Sequence, residues 1–350
     1  MTEYTLAIII PCWNCGEHLE ELIDSILAQD FTDYKVFCID DHSTDNTSSI
    51  LNKYTESNSQ INYLIRNRTP KGAQTCRNIG FDLSEGAKYV IWLDSDDVIA
   101  PYCFRQRVDF MEHNMDLDFG VFPAKSFENN ILDKNKPILF GFAYPPIDDL
   151  KRILRRTLPF VGWTNIYRRT AVVRTQLSWD EKILSLQDSD FNIQAVIKGL
   201  RYGYAENSKI DYFWRMKKYG ISKKIFTDEH KKSHIYLLNK IHVSLSLKQK
   251  KKYRLELDDF LFFFLEKFYY DHTFVKSVLK PDWHEGRIWF CIRIMLYYFV
   301  FKKRGKRLGK RFLFPKLYKY RIEDDKKYWN YHNNLLSEQM KLICKNVSID

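Results

Sequence analysis

The sequence predicts an α/β protein built on an open, doubly wound nucleotide-binding sheet, and three observations carry that prediction. Apolar, β-type runs alternate with helix-period segments from residue 5 to about residue 125. Several of those runs end abruptly in polar or acidic residues, where sheets of this kind bind ligands. The sharpest case is Lys88-Tyr89-Val90-Ile91-Trp92-Leu93-Asp94-Ser95-Asp96-Asp97, an apolar strand that runs into three carboxylates. A buried strand uses Val, Ile, Trp and Leu and has no structural use for ionised Asp at its end.

The elements follow in order. Leu6-Ala7-Ile8-Ile9-Ile10 is a continuous apolar run, a buried parallel strand that Pro11 is expected to end. From Glu17 to Gln29, Leu19, Leu22, Ile23, Ile26 and Leu27 recur at helical spacing. Tyr34 to Ile39 reads as a second strand ending in Asp40-Asp41, and Ser43 or Asp45 then suits the N-cap of a helix through about Tyr54. Ile61–Ile65 gives a third strand, Gly72–Leu83 a helix, and Asp118–Pro123 a further strand after the one that meets Asp94. Residues 126–225 read as irregular around Pro137, Pro145-Pro146 and Pro159, with a helix from Gln187 to Lys198. Past residue 226 the pattern is helical: Leu237, Leu238, Ile241 and Leu245, then Leu257, Phe260, Leu261, Phe264 and Phe268, then Trp289 to Phe301. Two domains are expected, residues 1–225 and a basic, aromatic helical extension at 226–350.

Charge divides the chain at nearly the same place. Residues 1–208 hold 22 Lys and Arg against 29 Asp and Glu, and residues 209–350 hold 33 against 15. The basic part calls for an anionic neighbour. No apolar run reaches membrane-spanning length, and the N-terminus reads without a secretory leader. Seven Cys without framework spacing read as free thiols of a reducing cytoplasm.

Two carboxylates spaced Asp-x-Asp on extended chain point the same way. Asp94 and Asp96 therefore suit one hard divalent cation, Mg²⁺ or Mn²⁺, together with the oxygens of a diphosphate. Around them stand Pro11-Cys12-Trp13-Asn14, Ile39-Asp40-Asp41-His42-Ser43-Thr44-Asp45, Gly72-Ala73-Gln74-Thr75-Cys76-Arg77-Asn78-Ile79-Gly80 and Leu186-Gln187-Asp188-Ser189-Asp190-Phe191. In this order the series resembles the family 2 glycosyltransferases with the GT-A fold, over roughly residues 5 to 222.

The resemblance implies a GT-A-type mixed sheet flanked by helices and a metal-dependent, inverting transfer of sugar from a nucleotide-diphosphate donor. Pro11, Trp13 and Asn14 would border the nucleoside, and Asp41 would accept a base N–H. A carboxylate there suits the imide of uracil or thymine, which favours a UDP- or dTDP-sugar. Asp96 would be the main metal ligand, with Asp94 on the ribose or the metal. Arg77 and Arg215 would reach phosphate. Asp188 would be the base that deprotonates the acceptor hydroxyl. The family's usual Glu-Asp pair is Gln187-Asp188 here, so its first acid is missing. The acceptor implied is a glycan or a lipid-linked glycan in cell-surface polysaccharide synthesis.

Other readings stay open at this point. The Asp94 and Asp96 carboxylates also suit a solvated loop, Asp188 and Asp190 suit a helix N-terminus, and Arg77 suits an exposed helix face. Cys12-x-x-Cys15 between strand and helix is also how a redox motif begins. A nucleotidyltransferase would want a basic, Gly-rich loop after the first strand, which Pro11–Gly16 lacks. An inactive membrane- or polyanion-binding protein would not need both acid clusters. The apolar, aromatic stretch within 287–314, followed by Lys302–Arg311, predicts contact with an anionic membrane surface, or else a core helix with a solvated basic loop. The expected location is cytoplasmic, on the inner face of the cell membrane, and no nucleic-acid motif accompanies the charges.

Overall fold

The first strand, β1 (Tyr4–Cys12), is longer than its apolar run because it continues through Pro11. It is flanked on both sides, by β2 (Tyr34–Asp40) and by β4 (Ala87–Trp92). Pairing with β4 stops at Ile9, whereas Pro11 pairs only with Ile39 of β2. The missing proline N–H therefore breaks no ladder bond on the β4 side. The computed structural model describes residues 3–131, 138–143, 148–216, 227–268, 271–278 and 292.

Helices α1 (Leu19–Leu27), α2 (Thr47–Ser57) and α3 (Ala73–Leu83) and strand β3 (Ile61–Ile65) complete the alternating part. After β4 come β5 (Val98–Ile99), α4 (Cys103–His113) and β6 (Phe119–Val121). The predicted helix cap moves slightly: α2 starts at Thr47, and Asp45 accepts from the Thr47 and Gly16 N–H groups at 3.0 Å each. Ser43 is spent on Asp40.

The stretch read as irregular holds β7 (Ala124–Phe127), β8 (Leu139–Phe140), α5 (Asp149–Leu154), a 3₁₀ turn at Gly162–Thr164, β9 (Asn165–Arg168), α6 (Arg169–Thr175), α7 (Gln187–Ile197), β10 (Tyr202–Tyr204) and β11 (Tyr212–Arg215). Strands of two to four residues are too short to show a period, so the sequence pattern passed over them. One sheet runs β10-β6-β9-β4-β1-β2-β3 and is mixed, since β9 is antiparallel to both β4 and β6. A second runs β5-β11-β7-β8.

The core explains the layering. Leu6, Ile8 and Ile10 are fully buried with Leu19, Leu22, Ile23 and Ile26 of α1, each such burial contributing about 1.5–3 kcal/mol. On the other face Ile9 meets α3 at Gly80, where an added Cβ would fall 2.4 Å from Ile9 Cγ2. That glycine lets α3 approach the strand closely. Because β2 and β4 leave β1 on opposite sides, the strand order reverses beside β1, and the crevice of the sheet opens at its carboxyl edge.

A buried ion pair ties α4 to the start of β11. Arg107 donates through Nε and Nη2 to Asp211 at 2.9 and 2.7 Å and through Nη1 to the Trp163 carbonyl at 2.9 Å, with both charged side chains sealed from solvent. Arg107→Ala would strand the Asp211 carboxylate and should cost about 3–5 kcal/mol, read from the midpoint of denaturant unfolding. An unchanged midpoint would show that the pair contributes nothing.

The chain divides into two units, residues 1–153 with 157–218, and 154–156 with 219–350. In the second, α8 (Asp228–Ser244), α9 (Leu247–Lys252), α10 (Arg254–Phe268) and α11 (His272–Val278) are the helices described. Leu237, Leu238 and Ile241 are buried, as are Phe260, Leu261, Phe264 and Phe268, which matches the helical spacing. Leu257 is only half-buried, while Glu256, Asp258 and Asp259 are buried. Arg156 accounts for one of these acids: it donates to Asp259 at 3.2 Å and lies 4.4 Å over the Phe263 ring. The segment 287–314 lies outside the described residues apart from Ile292. Among the described residues no helix is long and apolar enough to cross a membrane.

Candidate active site

Strand β4 delivers its acids to the carboxyl edge by continuing one residue further, with the Leu93 N–H donating to the Ile9 carbonyl at 3.0 Å. The chain then turns, and the Asp97 N–H meets the Asp94 carbonyl at 3.4 Å. The three carboxylates part company here. Asp97 is sealed from solvent and accepts from the Tyr212 hydroxyl at 2.5 Å and the Arg215 N–H at 2.8 Å. Burial holds its carboxyl well above the usual range, the Asp96 and Asp94 charges add to the rise, and the Tyr212 bond opposes it. Asp97 fastens the turn to β11. Asp94 and Asp96 remain at the crevice, both only partly buried.

Asp94 is held by Arg77 of α3. Arg77 Nη2 donates to Asp94 Oδ1 at 2.7 Å, Nη1 donates to Gln187 Oε1 at 2.9 Å, and the guanidinium lies 4.4 Å over the Trp179 ring. Burial pushes the Asp94 carboxyl up to about 6; Arg77 opposes that rise, while the charges of Asp188 and Asp96 reinforce it. Three acids from two distant parts of the sequence thus share one electrostatic neighbourhood. Arg77, expected at a phosphate, is buried and joins the turn after β4 to the start of α7.

Asp188 stands in the first turn of α7, just after Leu186 in a left-handed conformation (φ 62°). Its Oδ1 accepts from the Gly162 N–H at 3.1 Å. A Cβ on Gly162 would lie 3.0 Å from that oxygen and 2.8 Å from Trp179 Cη2. Gly162→Ala should therefore displace Asp188 and lower turnover about tenfold or more while nucleotide affinity holds. Equal loss of nucleotide affinity would mean that the substitution disturbs the whole crevice. Neither Gly162 nor Trp179 was evident from sequence, because a lone Gly and a lone Trp in an irregular stretch carry no period.

The nucleoside side is built by the ends of β1 and β2. Pro11 is buried in β1, and Trp13 is 48% exposed, with the Lys71 ammonium 5.8 Å from its ring centre. Asn14 (φ 46°) turns the chain: its Oδ1 accepts from the Thr44 N–H at 2.7 Å and its N–H donates to Ser43 Oγ at 2.9 Å. Asp41 is buried and ion-paired with Arg66, a partner that the sequence did not signal. Arg215 donates through Nε to the Asp96 carbonyl at 2.8 Å and through Nη2 to Glu21. It braces the Asp96 turn. Cys12 and Cys15 are buried free thiols.

Among the described residues no group of three or more His, Cys, Asp and Glu side chains is placed to hold a metal ion by itself. The donors at the crevice still fit a hard divalent cation. They are carboxylate oxygens only; burial raises Asp94, the Asp188 and Asp96 charges add to the rise, and a cation would relieve that repulsion. The remaining ligands would have to come from a diphosphate and water.

Comparison with known proteins bears on this arrangement. Residues 7–176 match the model for glycosyl transferase family 2. A poly(ribitol-phosphate) beta-glucosyltransferase of Bacillus spizizenii is 24% identical over 217 residues, covering 61% of this chain and 33% of that protein. The first curated relatives are matched over about a third to three fifths of their own length. Among solved structures, S. aureus TarS 1–349 in complex with UDP-GlcNAc superposes with a TM-score of 0.60 at 19% identity, covering 83% of this chain and 81% of the other. A mannosyltransferase from Pyrobaculum calidifontis in complex with GDP-Man and Mn²⁺ gives 0.52 at 14% identity, over 97% of this chain and 86% of the other. These two likenesses are of the fold, which is the GT-A type.

Proposed function

The chain belongs to glycosyl transferase family 2 through residues 7–176, and from that premise we propose that it moves a sugar from a nucleotide-diphosphate donor to an acceptor hydroxyl. The observation that carries this reading is the bridge by which Arg77 joins Asp94, two residues before Asp96, to the first turn of α7, which holds Asp188, at the sheet edge where β1 also ends and Trp13 stands exposed. The donor is a UDP-sugar. Two features support that choice: the buried carboxylate Asp41 near the nucleoside edge, and a structural neighbour that holds UDP-GlcNAc. The acceptor is a hydroxyl of a surface glycan, a polyol-phosphate chain or a lipid-linked glycan, as the named relative acting on poly(ribitol-phosphate) suggests. Donors of this kind are used inside the cell, so the reaction is assigned to the cytoplasmic side.

Each residue then has a task. Trp13 offers an aromatic face to the base or ribose. Asp96, with Asp94, would hold Mn²⁺ or Mg²⁺, which supplies neutralisation of the diphosphate leaving group. Asp188 takes the proton of the acceptor hydroxyl as that oxygen attacks the anomeric carbon, the bond to the diphosphate breaks in line, and the centre inverts. Arg77 keeps Asp94 and the start of α7 in register across the crevice.

Thermal-shift titration with UDP, GDP, dTDP, CMP, UTP and ATP, each with and without Mn²⁺, tests the reading. Stabilisation by UDP that needs Mn²⁺ is the expected result. A response to nucleoside triphosphates alone would point to nucleotidyl transfer, and no response to any nucleotide would remove the proposal.

A further inference from the structure

The junction of α8, α9 and α10 exposes apolar side chains in the middle of a run of cations. Val243 is 81% exposed, Leu247 68% and Leu255 38%, on a chain whose other large apolar residues in these helices are mostly buried. From His230 to Leu255 the sequence holds eight Lys and Arg and no Asp or Glu. Lys248, Lys251, Lys252 and Arg254 are exposed in the same stretch of sequence. The local backbone is firmly set. Ser246 caps α9 reciprocally with Gln249, its hydroxyl accepting from the Gln249 N–H at 3.3 Å while its own N–H donates to Gln249 Oε1 at 2.9 Å. Leu245 and Tyr253 on either side are buried and anchor the knuckle. The exposed leucine and valine are thus presented by an ordered turn.

Water alone does not explain this composition. Single exposed apolar side chains are ordinary on a surface, but here three fall between residues 243 and 255 of a stretch that carries cations and no acid. A soluble polyanion would pair with the cations and leave the apolar groups wet. An anionic lipid surface satisfies both, since short apolar side chains enter the headgroup boundary while lysines meet lipid phosphate. We propose that residues 243–255 dock on an anionic membrane surface, with Val243, Leu247 and Leu255 entering the interface and Lys248, Lys251, Lys252 and Arg254 holding the headgroups. This contact uses other residues than the basic run Lys302–Arg311 and goes beyond the transfer reaction, since it does not depend on the site around Asp94.

The test is co-sedimentation of the full chain with vesicles of phosphatidylglycerol and phosphatidylcholine, against phosphatidylcholine alone. Binding should require the anionic lipid and weaken with salt. Lys248→Gln with Lys251→Gln and Arg254→Gln should weaken partition about fivefold per charge removed. Val243→Ser with Leu247→Ser and Leu255→Ser should weaken it by about tenfold or more with every charge kept. All six positions are exposed, so the fold should survive, and UDP binding measured on the same variants should not change. Loss in both variants sustains the proposal. Loss in the charge variant alone reduces the contact to electrostatic adsorption and overturns the apolar docking. Loss in neither overturns it outright and assigns any vesicle binding to Lys302–Arg311. Failure to bind vesicles, with capture of inorganic polyphosphate that the charge variant abolishes, also overturns it and makes the knuckle a site for a polyanionic chain.

Discussion

Asp188→Asn should leave nucleotide binding intact and lower sugar transfer by about 10²- to 10⁴-fold, the range for removing a positioned general base. The substitution keeps the side chain's shape and an oxygen to accept from the Gly162 N–H, so α7 has no reason to move. What disappears is the ability to take a proton. A second readout separates this from a structural effect. Asp188 is one of the charges that raise Asp94, so removing it should let Asp94 ionise at lower pH. Burial raises the Asp94 carboxyl to about 6, so Mn²⁺-dependent UDP binding should fade as pH drops toward and below that value. In Asp188→Asn the fade should move to lower pH while turnover stays low at every pH. A fully active variant would place the base on another residue; an unmoved binding profile would show that Asp188 and Asp94 do not share a neighbourhood.

The parts of this site that could be read from sequence are those fixed by strand ends. An apolar run that stops at Asp94 shows where the sheet's edge lies, and the same logic places Trp13 and Asp41. What was hidden depends on crossings between distant segments. Gly162 is needed only because Asp188 and Trp179 close on it from across the fold. Arg66 matters only because β3 lies beside β2 and delivers it to Asp41. Asp97 looked equivalent to its neighbours, yet Tyr212 and Arg215 bury it from a second sheet whose short strands left no period. Arg77 shows the same limit in reverse. Its residue type suggests phosphate, and its bonds to Asp94 and Gln187 add a strut that no spacing in the sequence shows. The neutral Gln187 suits that strut, because a Glu there would compete with Asp94 for the same guanidinium and add another negative charge to a crowded crevice.

Asp96→Ala should abolish Mn²⁺-dependent stabilisation by UDP without weakening the fold. A ligand present at a hundred times its dissociation constant stabilises a protein by about 2.7 kcal/mol, or about 5–10 °C in a domain of this size. That shift should fall close to zero in the variant. The fold should hold because the structural bond at this residue belongs to its backbone, whose carbonyl accepts from Arg215 Nε at 2.8 Å, and alanine keeps it. The apo protein should even gain slightly, since the Asp96 charge raises both Asp94 and Asp97 and its loss relieves both. Asp97→Ala is the contrasting control: it strands the Tyr212 hydroxyl and the Arg215 N–H in a buried setting and should lower stability by about 1–3 kcal/mol. Opposite effects from adjacent aspartates would separate an acid kept for binding, at a cost to the fold, from one kept for the fold itself. If Asp96→Ala retained the full UDP and Mn²⁺ shift, the cation would have to sit elsewhere, and the Asp-x-Asp spacing would be a solvated turn.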